Sequence, residues 1–152
     1  MSVTLRGGDR QGPARNSALA EAIRHVESAL EPPHPGAESE WILRASRKIR
    51  DGARALATHR AVVDAPDGLY AQVEGVTPPA GPHLRGLRRQ SGATLEDASH
   101  LERAAGAAAG DPENVDAVLA RARELVGALW RLQQREVELL VQAYEQDIGA
   151  GD

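Results

Sequence analysis

The chain has 152 residues with no cysteine, no phenylalanine, two tryptophans and two tyrosines, and 18 basic against 22 acidic residues give a net charge of −4. This length suits one domain with a single core. The absence of cysteine excludes disulfides and thiolate metal sites. The net negative charge argues against a nucleic-acid binder. The apolar runs are too short to span a bilayer, and the N-terminus lacks the apolar segment of a secretory signal. We therefore expect a soluble cytoplasmic protein that does not bind membranes.

The N-terminal part of the sequence predicts a flexible arm followed by a first helix. Residues 1–15 are rich in glycine and polar groups and show no hydrophobic period. Asn16 or Ser17 can cap a helix that ends near Leu30, because apolar residues recur there at spacings of three and four. The proline-rich residues 32–36 end this helix.

The middle of the sequence predicts two long helices joined by a short one. Apolar periodicity favours a second helix over residues 37–64 and a short helical piece over residues 69–74. Thr77 followed by Pro78 is a start signal, a hydroxyl cap with proline at the first helical position, for a third helix to about residue 109.

The last helix completes a predicted bundle. Asp111 and Pro112 repeat the cap-and-proline signal, and the apolar stripe continues to about residue 146. We therefore expect an all-α fold, an antiparallel up-down-up-down four-helix bundle over residues 16–148 with a short extra helix between helices two and three, and a flexible tail over residues 149–152. A helical hairpin array of another topology is the alternative.

A few ionisable residues fall on or beside the predicted inner faces. His59 and Glu136 occupy apolar stripes of helices two and four, His83 flanks the stripe of helix three, and Asp64 lies near the end of helix two. At about 1.5 Å per residue along antiparallel hairpins, His59, His83 and Glu136 lie within roughly one helical turn of one another. Two imidazoles and a carboxylate could bind iron, zinc or manganese. A buried His–Glu hydrogen bond, or three boundary residues that reach solvent, explains the same spacing.

Two segments resemble bacterial hemerythrin-like (HHE) domain proteins. These are residues 59–70, HRAVVDAPDGLY, and the C-terminal residues 134–152 with Asp147-Ile148-Gly149. The resemblance spans roughly residues 17–152 and implies a four-helix bundle that holds two non-haem irons and binds or senses oxygen. It implies that His59 is a ligand of the second helix, Asp64 the carboxylate that follows it, and His83 a ligand of the third helix.

The sequence departs from that family at two expected ligand histidines. The second histidine of the third helix would fall near Gln90 and Ser91, and that of the fourth helix at Leu132. Glu136, one turn further, could partly substitute. We therefore predict a non-enzymatic hemerythrin-like protein with a reduced or lost site for iron or another divalent metal, with His59, Asp64, His83 and Glu136 as candidate ligands. The alternative is a metal-free bundle that acts as an interaction, scaffold or regulatory module through an unknown protein partner or as a homodimer.

Overall fold

The computed structural model describes residues 18–151, with side chains through residue 145, and these residues form helices and connecting segments without a strand. The first helix, α1, is described over residues 18–27. The later helices are α2 (Glu38–Val63), α3 (Leu69–Val76), α4 (Gly81–Ala108) and α5 (Val115–Gly151). Short 3₁₀ turns, Pro78–Ala80 and Pro112–Asn114, precede α4 and α5.

The all-α prediction is confirmed, including the short helix between the second and third long helices. The predicted arm over residues 1–15 and the caps at Asn16 and Ser17 lie outside the described residues. Helix α5 continues to Gly151 and so includes three of the four residues predicted as a tail; the flexibility of that tail stays a prediction. None of the described helices combines the length and the apolar character that crossing a membrane requires.

The two predicted helix starts differ in outcome. Asp111 caps as expected, because its Oδ1 accepts a hydrogen bond of 3.1 Å from the Glu113 N–H. Thr77 does not cap with its hydroxyl, and α4 begins only at Gly81. The prolines at 78 and 79 have no N–H to donate, and the Ala80 N–H donates to the Thr77 backbone carbonyl instead, at 2.9 Å.

The core is aliphatic and draws on all five helices. Its main cluster is rich in leucine, and a second cluster surrounds Trp41 near the connection between α1 and α2. The Trp41 ring is buried, and its Nε1–H donates to the Glu31 carbonyl at 2.5 Å. Leu132, where the family resemblance expects a histidine, is fully buried in the main cluster.

Close helix contacts place the elements around this core. Helix α2 packs against α4, α4 packs against α5, and α3 lies against α5 and the end of α2. Helix α1 approaches α2 at Gly52, where an added Cβ would lie 2.7 Å from Cγ2 of Val26. Glycine at that position therefore permits the close approach of the two helices.

Candidate functional site

Three polar side chains meet inside the aliphatic core, and we call them the polar triad: His59, Tyr70 and Glu136. The Glu136 carboxylate lies 2.8 Å (Oε1) and 3.1 Å (Oε2) from Nε2 of His59, and its Oε2 accepts a 2.8 Å hydrogen bond from the Tyr70 hydroxyl. His59 is 2% exposed and Glu136 6% exposed. The triad thus joins α2, α3 and α5 through one carboxylate.

The Tyr70 hydroxyl is a donor in the triad. An ionised carboxylate can only accept hydrogen bonds, so opposite an ionised Glu136 it is Nε2 of His59 that donates. Burial, and then the negative charge of Glu136, raise the pKa of Tyr70 above its ordinary value of 10.0. Tyr70 therefore remains a neutral donor over the whole physiological range.

The sequence predicted four metal ligands, and the structure brings two of them together. His59 and Glu136 are in direct contact, as expected from their positions along the predicted antiparallel helices. Asp64 is exposed and forms an ion pair with Arg88 (Nε to Oδ1, 2.7 Å). His83 is exposed and lines a separate 140 Å³ pocket with Thr77 and Leu139.

Helix geometry explains this separation. At about 100° per residue, the five residues from His59 to Asp64 turn the carboxylate well away from the direction of the imidazole. His83 directly precedes the inward-facing Leu84 and therefore points to one side of the core. Neither side chain is directed into the bundle centre.

The described residues contain no group of three or more His, Cys, Asp or Glu side chains close enough to hold a metal ion. The nitrogen of His59 and the oxygens of Glu136 that a metal would use are in hydrogen bonds with each other and with Tyr70. His59, Tyr70 and Glu136 thus take part in one hydrogen-bonded cluster. The four ligands remain a prediction as a metal set.

Tyr70 is the member of the triad that sequence reasoning missed. It precedes the buried Val73 by three residues within α3, so the same periodicity that identified His59 indicates an inward direction for it. Its helix has only eight residues, too few for an apolar stripe to show a period.

A groove lies beside the triad on the surface between α2 and α4. It encloses about 420 Å³, and its lining includes Arg60, Asp64, Tyr70, Arg88 and Ser91. Nε of Arg60 donates to Oγ of Ser91 at 3.1 Å, and Cζ of Arg88 lies 5.3 Å from the centroid of the Tyr70 ring. Both guanidinium groups are therefore held in place at the groove wall.

A second surface feature runs along α5, and we call it the apolar flank. Large apolar side chains there remain about half exposed, with Trp130 at 51% and Tyr144 at 66%. Its members are Trp130, Val137, Leu140, Val141 and Tyr144. Exposed apolar side chains that share one side of a helix can mark an interaction site.

Comparison of the chain with protein-family models, with curated proteins and with solved structures gives no match. The resemblance to hemerythrin-like proteins therefore stays a prediction.

Proposed function

We propose that this chain is a non-enzymatic cytoplasmic helical bundle without a metal, which acts as a protein-interaction module by pairing with a second copy of itself. The bundle consists of α1, α2, α4 and α5 in up-down-up-down order. The apolar flank of α5 is the surface on which the second copy binds, and it is the observation that carries the proposal.

Contacts between the helices support the antiparallel order. Ser46 on α2 donates to the Glu102 carbonyl on α4, whereas Asp64 at the far end of α2 pairs with Arg88. Residue numbers thus rise along α2 while they fall along α4. Near the connection between α1 and α2, Trp41 donates to the Glu31 carbonyl, and further along α2 the Lys48 ammonium donates to the earlier Ser28 carbonyl. Residue numbers thus also run in opposite directions in these two neighbouring segments.

The spacing within the apolar flank favours a helical partner. Trp130, Val137 and Tyr144 are seven residues apart, and the adjacent Leu140 and Val141 lie between the last two. At about 100° per residue, all five fall within one sector of the helix surface, beside the sector that faces the core. Apolar residues repeated every seven positions form the seam along which two helices pack.

Charges beside the apolar flank favour an antiparallel second copy. Arg131 is exposed in the first half of the flank, and Glu145 is exposed at its end. In a twofold antiparallel pair that crosses at residue 138, Arg131 of each copy lies opposite Glu145 of the other, so two attractive pairs outweigh the single repulsion between the two exposed Glu138 side chains at the crossing. In a parallel twofold pair this stripe lies on opposite sides of the seam in the two copies, so neither Arg131–Glu145 pair can form.

The shape of the flank is self-complementary in the same arrangement. A hollow of about 130 Å³ between α3 and α5 is lined by Val76, Leu140 and Tyr144, among others. A crossing at residue 138 brings Trp130 of the second copy within one helical turn of Tyr144, at the mouth of this hollow. A tryptophan that fills an apolar hollow is typical of the residues that dominate interface energies.

A charge exchange tests this proposal. Arg131→Glu should weaken dimerisation about tenfold or more, because it replaces two attractive pairs by two repulsive ones. Arg131→Glu with Glu145→Arg should restore it, since the pairs re-form with reversed sign. The dissociation constants come from analytical ultracentrifugation, with the exposed Arg50→Glu on α2 as the matched control. A double variant no tighter than the single one would contradict the antiparallel pairing.

A hemerythrin-like protein with a reduced metal site is the second candidate. The contact between His59 and Glu136 favours it, because a buried imidazole and carboxylate are common ligands of iron and other divalent metals. Elemental analysis of protein incubated anaerobically with Fe(II) separates the two candidates. Stoichiometric iron that is lost in His59→Ala supports the metal site, and protein without metal supports the metal-free bundle.

A further inference from the structure

We infer that the groove between α2 and α4 binds a small organic oxyanion, a carboxylate or a phosphate, through the guanidinium groups of Arg60 and Arg88. This inference is independent of the dimer interface, which lies on α5. It rests on how the two arginines are held.

Each guanidinium is anchored through its Nε. Nε of Arg60 donates to Oγ of Ser91, and Nε of Arg88 donates to Oδ1 of Asp64. Ser91 in turn donates to the Arg88 carbonyl at 3.2 Å, so one hydroxyl connects the two arginines. Among the described residues, no hydrogen bond or ion pair occupies the terminal nitrogens of either guanidinium.

This anchoring leaves two oriented donor edges at one groove. An arginine presents its N–H groups in a planar fork that matches a carboxylate or a phosphate with two parallel hydrogen bonds. Part of the entropic cost of ordering these side chains is already met in the free protein, because the Nε hydrogen bonds restrain them. Arg60 also lies closely over Gly92, where an added Cβ would come within 3.3 Å of its Nη2.

The charge and size of the groove fit a small anion with an apolar part. Its lining contains two arginines against one acidic residue, Asp64, in a chain whose net charge is −4. The volume of about 420 Å³ lies in the range of small-molecule sites. Ala57, Ala61 and Leu95 supply apolar wall for the carbon skeleton of a ligand.

NMR titration tests the inference. The signals of the backbone amides and of the arginine Nε–H groups are followed while inorganic phosphate or succinate is added at constant ionic strength, with sodium chloride as the reference. We expect saturable shifts centred on Arg60, Arg88 and Ser91. Saturation by phosphate alone, by succinate alone or by both supports the site and identifies the preferred oxyanion.

Substitutions of the two arginines test whether the anion binds in this groove. Arg60→Gln and Arg88→Gln should each weaken binding about tenfold, because each removes one charge-assisted donor edge. Arg88→Lys keeps the charge but not the fork, and should also weaken binding, whereas Arg50→Gln, exposed on α2, should not. Thermal unfolding of each variant establishes that it is folded, and Arg60→Lys replaces Arg60→Gln if that variant is not. Shifts that are linear in anion concentration, or equal in Arg60→Gln and wild type, overturn the inference.

Discussion

At the scale of residues, the carboxylate of Glu136 is the most consequential polar group in the core. It is buried, and both of its oxygens accept hydrogen bonds, from His59 and from Tyr70. A buried carboxylate is tolerated only when such donors replace water. The free energy of unfolding should therefore depend on the triad as a unit.

Glu136→Leu should lower the free energy of unfolding by about 3 kcal/mol, because His59 and Tyr70 lose their acceptor inside the core. The triple variant with His59→Leu and Tyr70→Phe should recover most of that loss, since a matched apolar cluster needs no partner. Urea denaturation gives both values. A triple variant no more stable than Glu136→Leu would contradict the dependence of stability on the triad as a unit.

The raised pKa of Tyr70 gives a prediction for alkaline pH. In the unfolded chain a tyrosine ionises near 10.0, and in the folded protein burial and Glu136 oppose its ionisation. Its contribution to stability is therefore complete below pH 10 and falls as the pH rises above that value. In Tyr144→Phe, Tyr70 is the one remaining tyrosine, and its absorbance at about 295 nm should change only together with alkaline unfolding, followed by circular dichroism. Ionisation well before unfolding would contradict the buried hydrogen bond to Glu136.

Thr77 is a buried polar residue whose removal should not lower stability. Its buried Oγ1 has no hydrogen-bond partner among the described residues. Thr77→Val keeps the shape and removes the unsatisfied group, so it should leave stability unchanged or raise it by about 1 kcal/mol. Thermal unfolding measures the change. A clear loss of stability would mean that the hydroxyl has a partner in solution, such as an ordered water.

The sequence was sufficient to identify two of the polar residues in the core, but not all of the side chains that contact them. His59 and Glu136 could be paired because each interrupts an apolar stripe, and stripes face one core. His83 was grouped with them by level along the helices, and Asp64 by its position shortly after His59 and by the family resemblance. Neither criterion determines direction around a helix. Tyr70 was missed because its helix is one of two turns, too short to show a period.

At the scale of elements, the helices and their breaks were readable because prolines, glycines and caps interrupt strong periodicity. The start of α4 was the exception, since two consecutive prolines replaced a capped start by a 3₁₀ turn. The positions at which two elements approach each other closely could not be predicted from the sequence. The glycine at 68 looks like an ordinary turn residue, yet an added Cβ would meet the carbonyl oxygens of Val62 and Val63.

Two glycines near α3 therefore make a matched pair for mutation. Gly68→Ala should destabilise the protein by about 2 kcal/mol, because rigid backbone leaves no room for the methyl group. Gly75→Ala should stabilise it by about 0.5–1 kcal/mol, because the site within α3 is open and alanine favours a helix. Chemical denaturation compares both with wild type. Equal effects of the two changes would contradict the packing of the end of α2 against residue 68.

At the scale of the whole molecule, the inner and outer faces of α5 differ in what surrounds them. The inner face contributes Glu136 and a series of leucines to the core, and the outer face carries the apolar flank. Periodicity indicated the inner face from sequence. The outer face was not apparent, because whether an apolar residue is covered depends on the neighbouring helices.

The most direct measurement is sedimentation equilibrium of the full chain over a wide concentration range, with Val137→Glu as the comparison. Wild type should approach twice the chain mass of 16.2 kDa. Val137→Glu should remain at 16.2 kDa with an unchanged helical circular dichroism spectrum, because a charge at the centre of the apolar flank opposes pairing. Wild type that stays monomeric at the highest concentration, or a folded Val137→Glu that dimerises equally well, would contradict self-pairing through the apolar flank.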